Sequence, residues 1–195
     1  MDQYIFNKPK SLSKKECSTL IELLESSNCH DNPRGYCYMD GNIESNRFSF
    51  LKKSLLSGIY EYAEKHSFLK FEYNGYWKLV LDDNFMIKKI LPGDFYGCKL
   101  TTKPHEAEHC EHGPEDYSCQ RVLAWMFYLN TIIKNGGTHW PQQNFTSKPE
   151  AGDLYIWPAG WTHSHYGIPA PNENKYFVSG WCSVSLRTKE EIRRI

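Results

Sequence analysis

A change of pattern near His66 constrains the fold of this chain more than any other feature. Before it, apolar residues recur every three or four positions, as on one face of a helix. After it, short runs of β-branched and aromatic residues alternate with turn signals. These runs are FLKFEY, YWKLVL, FMIKKIL, RVLAWMFYLN, DLYIWP and KYFVSGWCSV. Helices first and many short strands later predict an α+β fold with a sandwich or barrel as its body.

Two helices are predicted in the first part of the chain. Ser13 and Glu16 have the spacing of a capping box. The apolar stripes behind them are Cys17, Leu20, Ile21 and Leu24, then Phe48, Leu51, Leu55, Ile59 and Ala63. Turns are predicted at Asn74-Gly75, Asp82-Asp83-Asn84, Pro92-Gly93, Asn135-Gly136-Gly137, Gly152-Asp153 and Pro171-Asn172. With 195 residues we expect a single domain, helical over about 1–66 and β-rich over about 67–187.

Composition and charge bear on the partners and the cellular compartment to be expected. Lys+Arg and Asp+Glu each number 23, so the balance gives no electrostatic footprint for nucleic acid, which is not favoured as a partner. No apolar run of membrane-spanning length and no signal-peptide pattern is present, so we expect a soluble, cytoplasmic protein. The seven cysteines are then expected to be free thiols rather than a disulfide framework.

The segment HEAEHCEHG, residues 105–113, is the first candidate for chemistry. It contains H-E-x-x-H, in which His105 and His109 would bind zinc from one face of a helix. Pro104 and Gly113-Pro114 bound the segment, and a helix so short without an apolar stripe is marginal. A structural zinc site is a second interpretation, although no C-x-x-C pair is present. Its donors would be His105, His109, Cys110, His112 and Cys119.

A different metal site needs two histidines and one carboxylate, the facial triad of non-haem ferrous oxygenases. His109 and Glu111 have the i, i+2 spacing that places two side chains on one side of a strand. The third ligand would come from His163 or His165. Lys175 follows ten residues after His165, and a cation there can bind a carboxylate that also chelates the metal.

The order and spacing of these motifs resemble those of the iron(II)- and 2-oxoglutarate-dependent oxygenases, specifically the prolyl-4-hydroxylase-like group. The run RVLAWMFYLN…GGTHW…KPEAGDLYIWPAGWTHSHYG…KYFVSGW carries the resemblance, which covers about residues 85–184. It implies a double-stranded β-helix (jelly-roll) core with the N-terminal helices packed on one sheet. It also implies a metal site of His109, Glu111 and His165, since His165-Tyr166-Gly167 matches the distal ligand better than His163 does.

The resemblance assigns further roles. Lys175 and Tyr128 would bind the far carboxylate of 2-oxoglutarate, and Arg121 would lie at the substrate side, whereas Trp181 is expected to be a packing residue. Fe(II) is the implied cofactor, 2-oxoglutarate and dioxygen the cosubstrates, and ascorbate an additional candidate cofactor. The implied reaction hydroxylates a substrate and releases succinate and carbon dioxide.

The substrate is expected to be a peptide or small molecule, with peptidyl proline preferred. The aromatic residues expected near the mouth of the site are Trp140, Trp161 and Tyr96.

Two departures from the family pattern fall on the first ligand pair. The acidic ligand is usually Asp, and here it is Glu111. The segment from Pro92-Gly93 to His109 is also longer than usual, and its residues 94–108 are a candidate lid. Two alternatives stay open: a nucleic-acid oxygenase on the same fold, and a non-enzymatic or zinc-binding β-sandwich.

Overall fold

The computed structural model describes residues 3–32, 36–66, 77–93 and 119–186. Two α-helices and ten strands lie in these ranges. The helices are α1, Lys14–Glu25, and α2, Ser49–Lys65. The strands are β1 Phe6–Lys8, β2 His30–Asn32, β3 Tyr36–Asn42, β4 Trp77–Ile90, β5 Cys119–Tyr128, β6 Thr138–Trp140, β7 Phe145–Thr146, β8 Leu154–Pro158, β9 Tyr166–Gly167 and β10 Lys175–Leu186. Short 3-10 helices span Asn46–Phe48, Pro141–Gln143 and Trp161–His163.

Both helices form where the apolar stripes predict them. At the start of α1 the Ser13 hydroxyl accepts a hydrogen bond from the Glu16 N–H, and the Glu16 carboxylate accepts one from the Ser13 N–H. This capping box satisfies two of the amide donors that a helix start leaves unpaired. The buried stripe of α2 is formed by Leu51, Leu55, Gly58, Ile59 and Tyr62.

The strands form two antiparallel sheets, which confirms the predicted α+β class. The larger sheet has seven strands in the order β1-β8-β5-β10-β4-β3-β2. The smaller sheet has three, in the order β7-β6-β9. Most neighbouring strands in the larger sheet are not consecutive along the chain. Strand β10 lies at the centre of this sheet, between β5 and β4.

Side chains alternate between the two faces of the larger sheet, and each face has its own hydrophobic cluster. We call the first the helix face, because its cluster also contains the apolar residues of α1 and α2. Its strand residues are Phe85, Ile87, Leu123, Trp125, Phe127, Leu154, Ile156, Val178 and Cys182. We call the second the inner face, because its cluster includes Trp140 of β6. Its strand residues on the larger sheet are Tyr36, Ile90, Ala124, Met126, Tyr128, Tyr155, Trp157 and Phe177.

Helix α2 approaches the helix face closely at Gly58. A Cβ atom on Gly58 would lie 2.3 Å from Leu154 Cδ2, which is too close for any real contact. Glycine at this helical position allows α2 to rest on β8, and the apolar area removed from water there stabilises the pairing of helix and sheet.

The predicted turn at Asp82-Asp83-Asn84 is wrong. Strand β4 continues through it from Trp77 to Ile90. Its register with β10 shifts between Gly180 and Cys182, so the polar residues are accommodated as an irregularity rather than a turn. Short strands β1, β2 and β3 were also not predicted within the first 66 residues. The predicted Asn74-Gly75 turn and the run FLKFEY lie outside the described residues.

The expectation of free thiols throughout is wrong at one pair of cysteines. Cys29 and Cys37 form a disulfide beside the β2–β3 pairing, with their Cα atoms 5.9 Å apart. The antiparallel pairing brings the two residues to a separation that suits a disulfide. Cys17 and Cys182 are free and buried, and burial raises the pKa of the Cys17 thiol to about 11.

Candidate functional site

Only part of the predicted metal site can be located. His109 and Glu111 lie outside the described residues, as do His105, Cys110, His112 and Tyr96. His165 follows the 3-10 helix that ends at His163, and it lies just before β9. Lys175, Tyr128 and Arg121 are all described, and they lie on the neighbouring strands β10 and β5.

Lys175 places a buried amine on the inner face at the start of β10. Its side chain is almost completely enclosed, at 4 % exposure. Nζ donates a 3.3 Å hydrogen bond to the carbonyl oxygen of Gly137 and lies 5.4 Å from the ring centroids of both Tyr128 and Phe177. Among the described residues no carboxylate forms an ion pair with it. Desolvation therefore lowers its pKa from the usual 10.5 to about 7.

The Tyr128 hydroxyl belongs to a buried network with Thr138 and Ser147. Its oxygen lies 2.6 Å from Ser147 Oγ and 3.0 Å from Thr138 Oγ1. Ser147 Oγ accepts a hydrogen bond from the Thr138 N–H and donates one to the Thr138 carbonyl. If Ser147 uses its proton in this way, Tyr128 donates to Ser147 and accepts from Thr138. Burial raises the pKa of Tyr128, so its hydroxyl remains protonated.

Gly137, whose carbonyl Lys175 contacts, is required by close packing. A Cβ atom there would lie 2.2 Å from the backbone oxygen of Ser147. The preceding Asn135 and Gly136 have φ angles of 61° and 73°, so the predicted Asn-Gly-Gly turn is present. This turn brings the Gly137 carbonyl and Thr138 to the amine of Lys175 and the ring of Tyr128.

His165 has one ring nitrogen fixed by the backbone. Nδ1 donates to the carbonyl oxygen of His163 at 3.0 Å, which leaves Nε2 as the nitrogen with a lone pair for a metal. His163 uses both nitrogens: Nε2 lies 3.0 Å from the carbonyl of Gln3 and Nδ1 lies 2.9 Å from Thr162 Oγ1. The environment of the two rings therefore favours His165 as the ligand.

Arg121 lies in a polar cluster where β10 shifts register against both neighbours. Its Nε donates to Asp82 Oδ2 at 3.2 Å, and its guanidinium carbon lies 3.9 Å from the ring centroid of Trp181. Asp82 also accepts a hydrogen bond from the Ser183 hydroxyl. The ion pair and the stacked ring hold the guanidinium in one orientation.

Sequence reasoning missed several polar groups of this region. Thr138 and Ser147 are separated from Tyr128 along the chain, and no spacing rule links them. Lys88 of β4 is 1 % exposed, and its Nζ lies 5.5 Å from the Phe177 ring centroid, so two lysines approach one ring. An apolar strand containing a lysine at an inward position was the available signal.

Trp140, which was expected near the mouth of the site, is buried between the sheets at 0 % exposure, and its ring lies 5.8 Å from that of His165.

In the described ranges no group of three or more His, Cys, Asp and Glu residues could hold a metal ion. The donors present there still suit part of such a site. His165 offers a nitrogen in a fixed tautomer, and Lys175 is a buried amine that suits an anionic ligand when it is protonated. Within the same ranges, no helix is both long enough and apolar enough to cross a lipid bilayer.

Comparison with known proteins gives a fold but no sequence family. No family model matches the chain, and no curated protein matches its sequence. Solved structures do match. A viral collagen prolyl hydroxylase from Paramecium bursaria Chlorella virus 1, in complex with 2-oxoglutarate, superposes with a TM-score of 0.65 at 16% identity, over 93% of this chain and 96% of that one.

Two further structures extend the match. A prolyl hydroxylase from Trichoplax adhaerens, in complex with a hypoxia-inducible-factor peptide fragment, gives a TM-score of 0.60 at 16% identity, over 98% of this chain and 86% of that one. HygX from Streptomyces hygroscopicus, with nickel and 2-oxoglutarate bound, gives a TM-score of 0.56 at 11% identity, over 93% of this chain and 82% of that one. The resemblance in fold to prolyl-4-hydroxylase-like oxygenases is thereby confirmed.

Proposed function

We propose that this protein is an Fe(II)- and 2-oxoglutarate-dependent oxygenase with a double-stranded β-helix core, and that it hydroxylates a prolyl or similar side chain in a peptide. The fold likeness alone does not assign an activity. The observation that carries the proposal is Lys175, a buried amine without a carboxylate partner in the described part of the chain, ten residues after His165.

Lys175 is proposed to bind the far carboxylate of 2-oxoglutarate. An enclosed lysine is costly unless an anion compensates it, and its lowered pKa records that cost. A carboxylate beside Nζ would restore the charged form and form a charge-assisted hydrogen bond in a low-dielectric site. The aromatic ring of Tyr128 lies beside the ammonium group of Lys175. The Tyr128 hydroxyl could donate to the carboxylate only by giving up its hydrogen bond to Ser147.

His109, Glu111 and His165 are proposed to hold the metal. The hydrogen bond from His165 Nδ1 to the His163 carbonyl fixes the tautomer that presents Nε2, as is usual for metal-binding histidines. A ferrous ion with three protein ligands would leave positions for 2-oxoglutarate and dioxygen, and would supply the oxidation chemistry. The protein's own residues would bind and orient 2-oxoglutarate and exclude water from the site.

A peptide substrate is proposed on two grounds. One structural neighbour is in complex with a peptide fragment. Arg121 is held by Asp82 and Trp181 in a fixed orientation at the predicted substrate side, and a guanidinium suits the carbonyl oxygens of an extended backbone.

The assay supplies Fe(II), ascorbate and 2-oxoglutarate with proline-rich peptides or with single-stranded oligonucleotides. We expect peptides to raise succinate formation above the uncoupled rate and to gain the mass of one oxygen atom. If only oligonucleotides do so, the peptide assignment is wrong. If the protein binds metal but forms no succinate, either with these additions or without them, it is a non-enzymatic metal-binding sandwich.

Lys175→Ala tests the cosubstrate site in the same preparation. Losing one partner of a buried charge pair costs about 2–5 kcal/mol, so the Kd for 2-oxoglutarate should rise roughly thirty- to several-thousandfold. Lys89→Ala is the matched control, because Lys89 lies on the opposite side of β4 from Lys88 and pairs with the exposed Glu25. An unchanged Kd in the Lys175 variant would remove that residue from the site.

A further inference from the structure

Two buried indole N–H groups on the inner face have no acceptor among the described residues. Trp140 and Trp157 are 0 % and 3 % exposed, and neither Nε1 atom forms a hydrogen bond within the part of the chain that the structure describes. A buried tryptophan N–H normally finds a partner, so two such donors close together need an explanation.

The helix face shows that this fold can satisfy an indole. Trp125 of β5 is also buried, and its Nε1 donates to the carbonyl oxygen of Trp181 at 3.3 Å. The unsatisfied pair is therefore a property of the inner face and not of buried tryptophans in this protein generally.

Both indoles lie beside His165. The Trp157 ring is 5.2 Å and the Trp140 ring 5.8 Å from the imidazole, measured between centroids, and the two indoles are 5.2 Å from each other. From Trp140 a row of rings leads to the buried lysine: Trp140 stacks on Tyr155 at 6.4 Å, and Tyr155 meets Tyr128 at 5.7 Å. The indoles thus lie at the His165 end of a row whose other end is Lys175.

We infer that the indole N–H groups of Trp140 and Trp157 donate hydrogen bonds to the 2-oxo-acid end of 2-oxoglutarate, and so position it beside His165. The inference rests on the proposed function, because it assumes that the far carboxylate lies at Lys175. Carboxylate and keto oxygens are acceptors only, and indole N–H groups are donors only, so the chemistry is complementary. Two neutral donors would orient these oxygens without adding charge next to a metal.

The primary test observes the indole protons in the unaltered protein. The chain has six tryptophans, so a ¹⁵N–¹H correlation spectrum contains six indole signals, which Trp140→Phe, Trp157→Phe and Trp125→Phe assign by loss of a peak. Protein loaded with zinc, a diamagnetic replacement for iron, is titrated with 2-oxoglutarate. We expect the Trp140 and Trp157 proton signals to move downfield at saturation, while the Trp125 signal stays in place.

Calorimetry of the same titration separates the two proposals. If 2-oxoglutarate binds and neither inner-face signal moves, the inference is overturned and the cosubstrate site stands. If the signals move only after a peptide is added, the donors serve the substrate and the inference is also overturned. If 2-oxoglutarate does not bind, the proposed function itself fails.

Affinity gives a second measurement. Trp140→Phe and Trp157→Phe keep an aromatic ring and remove one donor each, so each should weaken 2-oxoglutarate binding about tenfold. Trp125→Phe should leave that affinity unchanged. If the Trp140→Phe or Trp157→Phe variant does not fold, the indole proton shifts of the unaltered protein on addition of 2-oxoglutarate decide whether the inference holds. If a variant folds and its affinity for 2-oxoglutarate is unaltered, the replaced indole does not donate a hydrogen bond to the ligand.

Discussion

The two faces of the seven-stranded sheet are built from alternate residues of the same strands, yet they differ in kind. On β10, Val178 and Cys182 enter an apolar cluster with both helices, whereas Lys175 and Phe177 point to the inner face. The helix face buries apolar side chains and satisfies the N–H of Trp125. The inner face buries Lys175, Lys88 and two indole donors for which the described ranges offer no acceptor.

The difference separates a face that stabilises the fold from the face on which we propose the site. Burying aliphatic side chains stabilises the fold by about 25 cal/mol per Å² of apolar surface. Burying an amine or an unsatisfied N–H does the opposite. A sheet that could have been apolar on both sides carries Lys175, Lys88 and the two indole donors on its inner face, and such costly polar groups concentrate where ligands bind. Substitutions on the two faces should therefore have opposite kinds of effect.

The largest effect is expected from His165→Ala on the inner side. Removing a proposed metal ligand should reduce iron-dependent succinate formation to the uncatalysed background while leaving the fold intact. His139→Ala is a control, because His139 lies on β6, next to the same region, with Nδ1 2.8 Å from Thr146 Oγ1. His105→Ala should retain most activity. Loss of activity from His105→Ala with retention in His165→Ala would return the metal site to the zinc-peptidase interpretation.

Leu154→Ala should produce the largest loss of stability on the helix face. Leu154 is fully buried and its side chain lies against Gly58 of α2, so truncation leaves a cavity between helix and sheet. We expect unfolding to become easier by about 2–5 kcal/mol, measured by urea denaturation. The folded protein should bind 2-oxoglutarate as before. A large loss of that affinity at full folding would show that the two faces are not separable.

The sequence predicted the helix face well because its information is local. A capping box and an apolar stripe define α1, and the β-branched runs define β5, β8 and β10. The features that were predicted wrongly or missed depend on contacts between residues that are distant in sequence or on strands that are very short. Asp82 stays within β4 because Ser183 and Arg121 bind its carboxylate, and β1 is too short to show a pattern.

The candidate site divides in the same way. His165 and Lys175 were predicted from their spacing, and their roles remain predictions. No spacing pattern could indicate that Thr138 and Ser147 would bind the Tyr128 hydroxyl. Nor could one indicate that Trp140 and Trp157 would flank His165, with no acceptor for either indole among the described residues. Those features depend on the pairing of two sheets.

Lys175→Met should stabilise the ligand-free protein. The substitution keeps a long, flexible side chain and removes an amine whose desolvation lowers its pKa to about 7. Replacing a buried charged group by an apolar one of similar volume is often favourable by about 1–4 kcal/mol. We expect a higher Tm together with loss of 2-oxoglutarate binding. A lower Tm would mean that the hydrogen bond to Gly137 outweighs the desolvation of the amine.

The smallest effect is a pH dependence of cosubstrate affinity. In the ligand-free protein the pKa of Lys175 is about 7, so the amine is charged below pH 7 and neutral above it. A bound carboxylate favours the charged form and raises the pKa, so above pH 7 binding must take up a proton. Affinity should then be constant below pH 7 and fall by about tenfold per pH unit above it, until the pKa of the bound state is reached.

Lys175→Arg isolates the contribution of that amine, because a guanidinium stays charged over the whole range. The groups that face Lys175 across Phe177 and from β5 are Lys88 and Tyr128, and both remain in this control. Calorimetry at pH 8 in two buffers of different ionisation enthalpy should show proton uptake by the unaltered protein. The Lys175→Arg variant should take up none beyond any metal-linked background. Equal proton uptake in the two proteins would mean that Lys175 is already charged before the ligand arrives, and that the inner face compensates this amine through groups of its own.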